Sequence, residues 1–230
     1  MAGIVLIETS TSLCSTALAI DGSIAEYRES TQPRAHASLT APFVKEMLDA
    51  RGLAMADCDA VCVSAGPGSY TGLRVGSSTA KGLCFASGRP LLAVGTLEIL
   101  ARQAIEDGLL PEGCRYIVPM IDARRMEVYT ATFSADGKKL DDTMPRIVGE
   151  DSFSELLEQG PVLFVGDGAE KCSHAISSPN AHFFQCCPRA SAMLVPAERE
   201  LRAGNFRNTA YFEPFYLKQF QATVSKKQIF

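Results

Sequence analysis

The chain alternates short apolar runs with stretches of helical period. Residues 4–7 are apolar and lead into Glu8-Thr9-Ser10, which reads as a buried strand over 4–10 with a polar end. Residues 14–20 and 23–30 read as two further strands. Asp21-Gly22 between them signals a type I′ hairpin, whose central residues both need positive φ. Leu39, Phe43, Val44, Met47 and Leu48 fall on one helix face over 37–51, closed by Gly52. A short strand at 60–65 leads into a Gly/Pro loop and a helix over 73–87 that ends at Gly88. Residues 91–94 form a strand, and Thr96 is expected to cap a helix reaching Gly108.

From residue 116 the order begins again. Strands are expected at 116–122 and 126–134, with a turn at Asp136-Gly137, and a weak one at 144–148. Ser152-x-x-Glu155 reads as a capping box opening a helix to Glu158. A strand at 162–165, a helix at 168–177, a strand at 181–185 and a helix at 189–203 follow. Both halves start with an apolar strand ending in a carboxylate, Ile7-Glu8 and Ile121-Asp122. Antiparallel strands followed by alternating helices and strands predict an α/β protein of two tandem actin-like (ribonuclease-H-like) lobes, with mixed sheets flanked by helices. The first lobe is drawn as 1–101 and the second, with the tail, as 102–230. The aromatic stretch 211–217 is expected to pack back on a lobe, and Ser225-Lys-Lys-Gln to be loose.

The 230 residues are 47% apolar and 21% charged, ordinary usage for a folded protein. A formal charge of −4 gives no global reason to hold nucleic acid and leaves a local basic patch open. The apolar runs are too short for a membrane span, and no basic stretch precedes the first one, so neither a span nor a signal peptide is expected. The eight cysteines lie mostly in apolar runs and read as reduced thiols, consistent with a cytoplasmic location.

Three features bear on chemistry. The stretch from Ser64 to Arg74, with Gly66, Gly68 and Gly72, joins a strand to a helix. It reads either as a phosphate cradle at a helix N-terminus or as a tight connection, and it matches neither a P-loop nor a dinucleotide fingerprint. Glu8 and Asp122 read either as a pair facing a cleft between the lobes, where such groups meet Mg²⁺ and phosphates, or as polar strand ends that only cap a turn. The loop after Asp122 is Ala123-Arg124-Arg125-Met126 rather than glycine-rich, so its arginines either reach a phosphate with their side chains or serve a surface. Cys172, His174, His182, Cys186 and Cys187 have the count of a zinc site but not its spacing, and buried thiols are the simpler reading.

Ile7-Glu8-Thr9-Ser10, the loop Gly66-Pro67-Gly68-Ser69-Tyr70-Thr71-Gly72-Leu73-Arg74-Val75-Gly76, Ala80-Lys81-Gly82 and Val94-Gly95-Thr96-Leu97-Glu98 together resemble the TsaB (YeaZ) family of the bacterial tRNA threonylcarbamoyladenosine pathway. Ile121-Asp122-Ala123-Arg124, Gly166-Asp167-Gly168-Ala169 and Pro214-Phe215-Tyr216-Leu217 agree. The resemblance implies an actin-like pair of lobes, a cytoplasmic location and a non-catalytic partner of the TsaD-type transferase, which modifies adenosine 37 of tRNAs reading ANN codons. It also implies a TsaE-type ATPase as third component, tRNA met through the complex, and a homodimer when the partner is absent. The catalytic relative's His-x-Glu-x-His metal motif falls on Thr96-Leu97-Glu98-Ile99-Leu100, where both histidines are missing, so no metal is expected. The implied partner surface is helical, with Leu39, Phe43, Val44, Met47, Val75, Ser78, Thr79 and Gly82 as its candidates. Glu8, Thr9, Ser10, Gly66, Gly68, Asp122 and Arg124 are candidates for a nucleotide-facing cleft. No cofactor is expected to bind tightly, ATP or ADP only weakly or in the complex. The alternative reading is an actin-like ATPase or sugar-kinase-like enzyme. A metallopeptidase lacks its ligands here.

Overall fold

The computed structural model describes residues 3–217. The first sheet contains β1 (Gly3–Glu8), β2 (Cys14–Ile20), β3 (Ser23–Ser30), β4 (Ala60–Ser64) and β5 (Leu91–Val94), in the order β3-β2-β1-β4-β5. β1 pairs antiparallel with β2 and parallel with β4, and β4 pairs parallel with β5. Helices α1 (His36–Ala50), α2 (Tyr70–Ser87) and α3 (Thr96–Glu106) flank it. The period of two along β1 and β4 sorts their side chains onto two faces. Val5, Ile7, Val61 and Val63 pack under Val44 and Met47 of α1 and Ala80 and Cys84 of α2. Ile4, Leu6, Ala60, Cys62, Leu92 and Val94 face Ile99 of α3. Both faces are covered, which is why these strands read as unbroken apolar runs.

The second sheet holds β6 (Tyr116–Asp122), β7 (Glu127–Thr130), β8 (Phe133–Ser134), β9 (Met144–Ile147), β10 (Val162–Val165) and β11 (Ala181–Phe184), in the order β11-β10-β6-β7-β9, with β8 also on β6. The strand expected over 126–134 is therefore two. β7 and β8 keep one register against β6, with Met120 opposite Thr130 and Ile117 opposite Phe133. That register places the break opposite Pro119, which has no N–H to give the ladder. The Thr130 hydroxyl donates to the Pro119 carbonyl instead, at 2.8 Å.

Several helix ends differ from expectation. α2 starts at Tyr70, three residues early, because Ser69 caps it: its Oγ accepts the Gly72 N–H at 3.3 Å. Thr96 is the first residue of α3 and Gly95 its cap. The capping box at Ser152 does not form. The Ser152 hydroxyl turns back to accept the Gly149 N–H, and α4 (Ser154–Leu157) follows Phe153 in left-handed backbone, φ 65°. α5 is only Ala169–Ser173.

The segment expected as the helix 189–203 of the second lobe is a 3₁₀ turn, Ala190–Met193, followed by α6 (Leu194–Arg202). It packs on the first sheet: Ala190, Ala192, Met193 and Ala197 complete the layer over Leu6, Cys62 and Val94. The boundary drawn at residue 101 lies within α3. The tail stays on the first sheet. Arg207 bridges to Leu91 at the β5 edge, Phe212 packs beside Leu91, and the Phe215 N–H reaches the Ala65 carbonyl at 2.7 Å. Ser225-Lys-Lys-Gln lies outside the described residues. All eight cysteines are free thiols, five of them buried.

Candidate functional site

The C-terminal ends of β1 and β4 and of β6 border one cleft of about 1250 Å³. Of the residues expected there, Ser10, Gly68, Asp122 and Arg124 line it, together with Thr11, Arg34, His36, Tyr70, Asp167 and Tyr216. Glu8, Thr9 and Gly66 do not. Glu8 follows Ile4 and Leu6 in the alternation of β1, so its side chain points into the covered face of the sheet and is 0% exposed. Its Oε1 accepts the Ser10 N–H at 2.5 Å, and its Oε2 has no partner among the described residues. Burial pushes this carboxyl up to about 7, against the Ser10 N–H and the nearby Ser10 and Ser64 hydroxyls, which pull it down. Thr9 is buried, its hydroxyl donating to the Gly72 carbonyl at 2.8 Å. Gly66, at φ 97°, lies beneath the Phe215 carbonyl, where a Cβ would come within 2.9 Å.

The glycine-rich connection has a packing role. A Cβ on Gly68 would collide with the Ser10 carbonyl, one on Gly72 with the Thr9 carbonyl, and one on Gly76 with the Thr9 hydroxyl. The turn after β1 therefore occupies the glycine stripe of α2, and the Ser69 N–H donates to the Ser10 carbonyl at 2.7 Å. Of the two readings left open for this loop, the structure favours the tight connection.

Across the cleft, Asp122 anchors the arginine loop. Its Oδ1 accepts the Arg124 N–H at 2.8 Å, and its own N–H donates to Asp167 Oδ1 at 2.9 Å. The Lys171 ammonium donates to the Asp122 carboxylate and to the carbonyls of Arg125 and Glu127, at 2.8 and 2.6 Å. This clamp holds Arg124 and Arg125 in left-handed backbone, φ 72° and 50°. Burial pushes Asp167 up to about 6, with the neighbouring Asp122 charge adding to it.

The helical candidates separate by face. Val44 and Met47 are 1% and 0% exposed and belong to the core under α1, so they present nothing to a partner. Leu39, Phe43, Val75 and Thr79 are half-buried, and Ser78 and Gly82 are exposed. A groove of about 510 Å³ runs between the start of α1 and α2, past Ala37, Arg74, Val75, Ser78 and Thr79. Phe85 is absent from the residues expected on this surface. It continues the outer face of α2 from Ser78 and Gly82 and is 86% exposed. The i, i+4 spacing through 74, 78 and 82, extended to 85, is the signal that points to it.

The sulfur- and imidazole-bearing set does not converge. Cys172 belongs to one face of the second sheet and Cys186 packs on the other, while Cys187 lies 3.5 Å from the Ser12 hydroxyl. Among the described residues no three His, Cys, Asp or Glu side chains come together as a metal site.

The profile of the family described as TsaD: tRNA N6-adenosine threonylcarbamoyltransferase matches residues 26–226. The Escherichia coli protein named tRNA threonylcarbamoyladenosine biosynthesis protein TsaB is 35% identical over 133 residues, 58% of this chain and 55% of that protein. YeaZ from Pseudomonas aeruginosa superposes with a TM-score of 0.82 at 28% identity, over 94% of this chain and 100% of that one. The chain belongs to the TsaB (YeaZ) branch of the TsaD family. It spans about half the length of the curated relatives it matches. An Arthrobacter polyphosphate/ATP-glucomannokinase, 12% identical with a TM-score of 0.51 over 89% of this chain and 100% of that one, shares the fold alone. The architecture is thus the expected actin-like one, with two mixed sheets flanked by helices. Among the described residues no helix is long and apolar enough to cross a membrane.

Proposed function

We propose that this TsaB-family chain is a non-catalytic partner and activator of a TsaD-type transferase, which forms N6-threonylcarbamoyladenosine at position 37 of tRNAs reading ANN codons. The opening of α3 carries the reading. At the positions matching the transferase's His-x-Glu-x-His, Thr96, Leu97, Ile99 and Leu100 are buried, and Glu98 is ion-paired with Arg199 at 2.5 Å. A buried threonine and leucine at the two histidine positions replace the imidazoles a metal would need. The surface for the partner is the outer side of α1 and α2, with Leu39, Phe43, Val75, Ser78, Thr79 and Gly82, extended by Phe85. In this reading the first lobe, from 1 to about 101, presents those helices. A second copy of the chain competes for the same surface, a TsaE-type ATPase joins the pair, tRNA arrives through the complex, and the assembly works in the cytoplasm.

Light scattering on a sizing column tests it, with the chain alone and then mixed with the TsaD-type protein of the same organism. A 1:1 heterodimer is expected, and tRNA modification only when both are present. Full activity of the transferase by itself would sink the proposal. The kinase-like alternative draws on the cleft wall of Asp122 and Arg124. It would require tight, stoichiometric Mg-ATP binding by the isolated chain in calorimetry, where weak binding or none is expected.

A further inference from the structure

Of the fourteen arginines in the chain, five are ion-paired, and three of the other nine gather at the cleft. Arg28, Arg51, Arg189, Arg199 and Arg202 are ion-paired with carboxylates. Arg34, Arg74 and Arg124 have no carboxylate within 4 Å among the described residues, and all three line the cleft or the groove that joins it. The two acids in the same wall are engaged: Asp122 holds Lys171 and the Arg124 N–H, and Asp167 accepts the Asp122 N–H. Arg34, Arg74, Arg124 and Lys171 thus stand against two carboxylates, so the local charge is positive although the chain carries −4.

Aromatic rings stand beside these cations. Tyr70 and Tyr216 pack with centroids 4.9 Å apart and ring planes tilted by 42°, the Arg74 guanidinium lies 5.5 Å from the Tyr70 centroid, and Tyr129 and Phe215 add to the wall. Ser10 and Thr11 border the cleft; the Ser10 hydroxyl is turned toward the Glu8 carboxyl, and the buried Thr11 hydroxyl has no partner among the described residues. Cleft and groove share Ala37, Tyr70, Thr71 and Val75, so the Arg74 end of the groove opens onto the cleft as one track over the first turn of α2, short of the Ser78 and Thr79 end that belongs to the partner surface. The cleft alone, about 1250 Å³, exceeds the roughly 300–1,000 Å³ usual for a small-molecule pocket. Unpaired guanidiniums that meet phosphates, with aromatic faces for bases, are the chemistry by which single strands are held.

We infer that this track seats a single strand of RNA, its phosphates met by Arg34, Arg74 and Arg124 and a base stacked on the Tyr70–Tyr216 wall. The choice of RNA over DNA rests on the function proposed above; the seat itself does not.

The test is fluorescence anisotropy of the full chain with a labelled, unstructured RNA of about ten nucleotides, within the usual site size for such tracks. Binding is expected at low salt. Arg34→Ala with Arg124→Ala should weaken it about tenfold and flatten the dependence of log Kd on log salt by roughly 0.7 for each arginine removed from a phosphate. Tyr216→Ala should weaken it about fivefold or more with the salt slope kept, the mark of a missing stacking partner rather than a missing charge. Circular dichroism melts of each variant check that it folds. Absence of binding at low salt, or affinity and slope unmoved in the double variant, overturns the inference. Displacement of the RNA by equimolar Mg-ATP also overturns it, in favour of a mononucleotide seat. Equal affinity for DNA of the same sequence overturns the choice of RNA. The double variant leaves the exposed faces of α1 and α2 intact, so its heterodimer with the TsaD-type protein, followed by light scattering, reads the partner proposal separately.

Discussion

Glu8 ends its strand in the interior of the protein. Its alternation with Ile4 and Leu6 sends the carboxyl under the layer that Ala190 and Ile99 close, and burial lifts it to about 7 from an ordinary 4.5. An unfolded chain releases that proton near 4.5, so folding takes up a proton between the two values. The stabilisation tied to this group is whole below about pH 4.5 and is lost as pH rises through 7. The shift corresponds to on the order of 3 kcal/mol at pH 8, at about 1.4 kcal/mol per unit. Glu8→Gln keeps the shape and removes the titration. Urea midpoints should fall between pH 5 and pH 8 for the wild type and fall much less for the variant. Asp167, raised to about 6, acts in the same direction in both proteins and cancels in the comparison. An equal fall in both would mean that Glu8 is ionised throughout this range.

Along α2 two glycines of the same helix have opposite roles. Gly72 faces the Thr9 carbonyl with no room for a Cβ, while Gly82 has nothing within 4 Å. Gly72→Ala forces the turn after β1 away from the helix and should cost several kcal/mol or prevent folding, an overpacking effect at its most severe. Gly82→Ala should stabilise the isolated chain by about 0.5–1 kcal/mol through helix propensity alone. If a partner helix seats there, the same methyl weakens the heterodimer. Melting curves and light scattering together read both consequences, and a Gly82→Ala chain that melts higher and pairs as tightly as before would remove Gly82 from the interface. The elements themselves were legible, because apolar runs and hairpin chemistry are local signals: β2, β3, β5 and β6 fall where the pattern put them. What fills a glycine stripe was not legible. Gly68, Gly72 and Gly76 repeat every four residues, but the atoms that fill them belong to Thr9 and Ser10, about sixty residues earlier in the chain. The split of α1 into core Val44 and Met47 and half-buried Leu39 and Phe43 likewise depends on which side meets the sheet, and an apolar stripe does not state that by itself.

The whole molecule closes on itself late in the sequence. The pattern over 189–203 announced an amphipathic helix but not the sheet it would cover, and the repeat of order suggested the second. It covers the first instead. Ala190, Ala192, Met193 and Ala197 shield Leu6, Cys62 and Val94, the Ala190 N–H reaches the Ser15 hydroxyl at 3.0 Å, and the tail then binds the β5 edge. A fragment of residues 1–101 therefore lacks one wall of its own core and ends midway through α3. Exposed apolar strands of that kind associate rather than fold. The fragment should show no cooperative urea transition and should aggregate, whereas the complementary fragment 102–230, if mixed with it during refolding, should restore a transition by supplying residues 190–217. A fragment 1–101 that unfolds cooperatively as a monomer would mean that the layer over Leu6 and Cys62 is dispensable, and that the first lobe carries its partner surface without help from the returning chain.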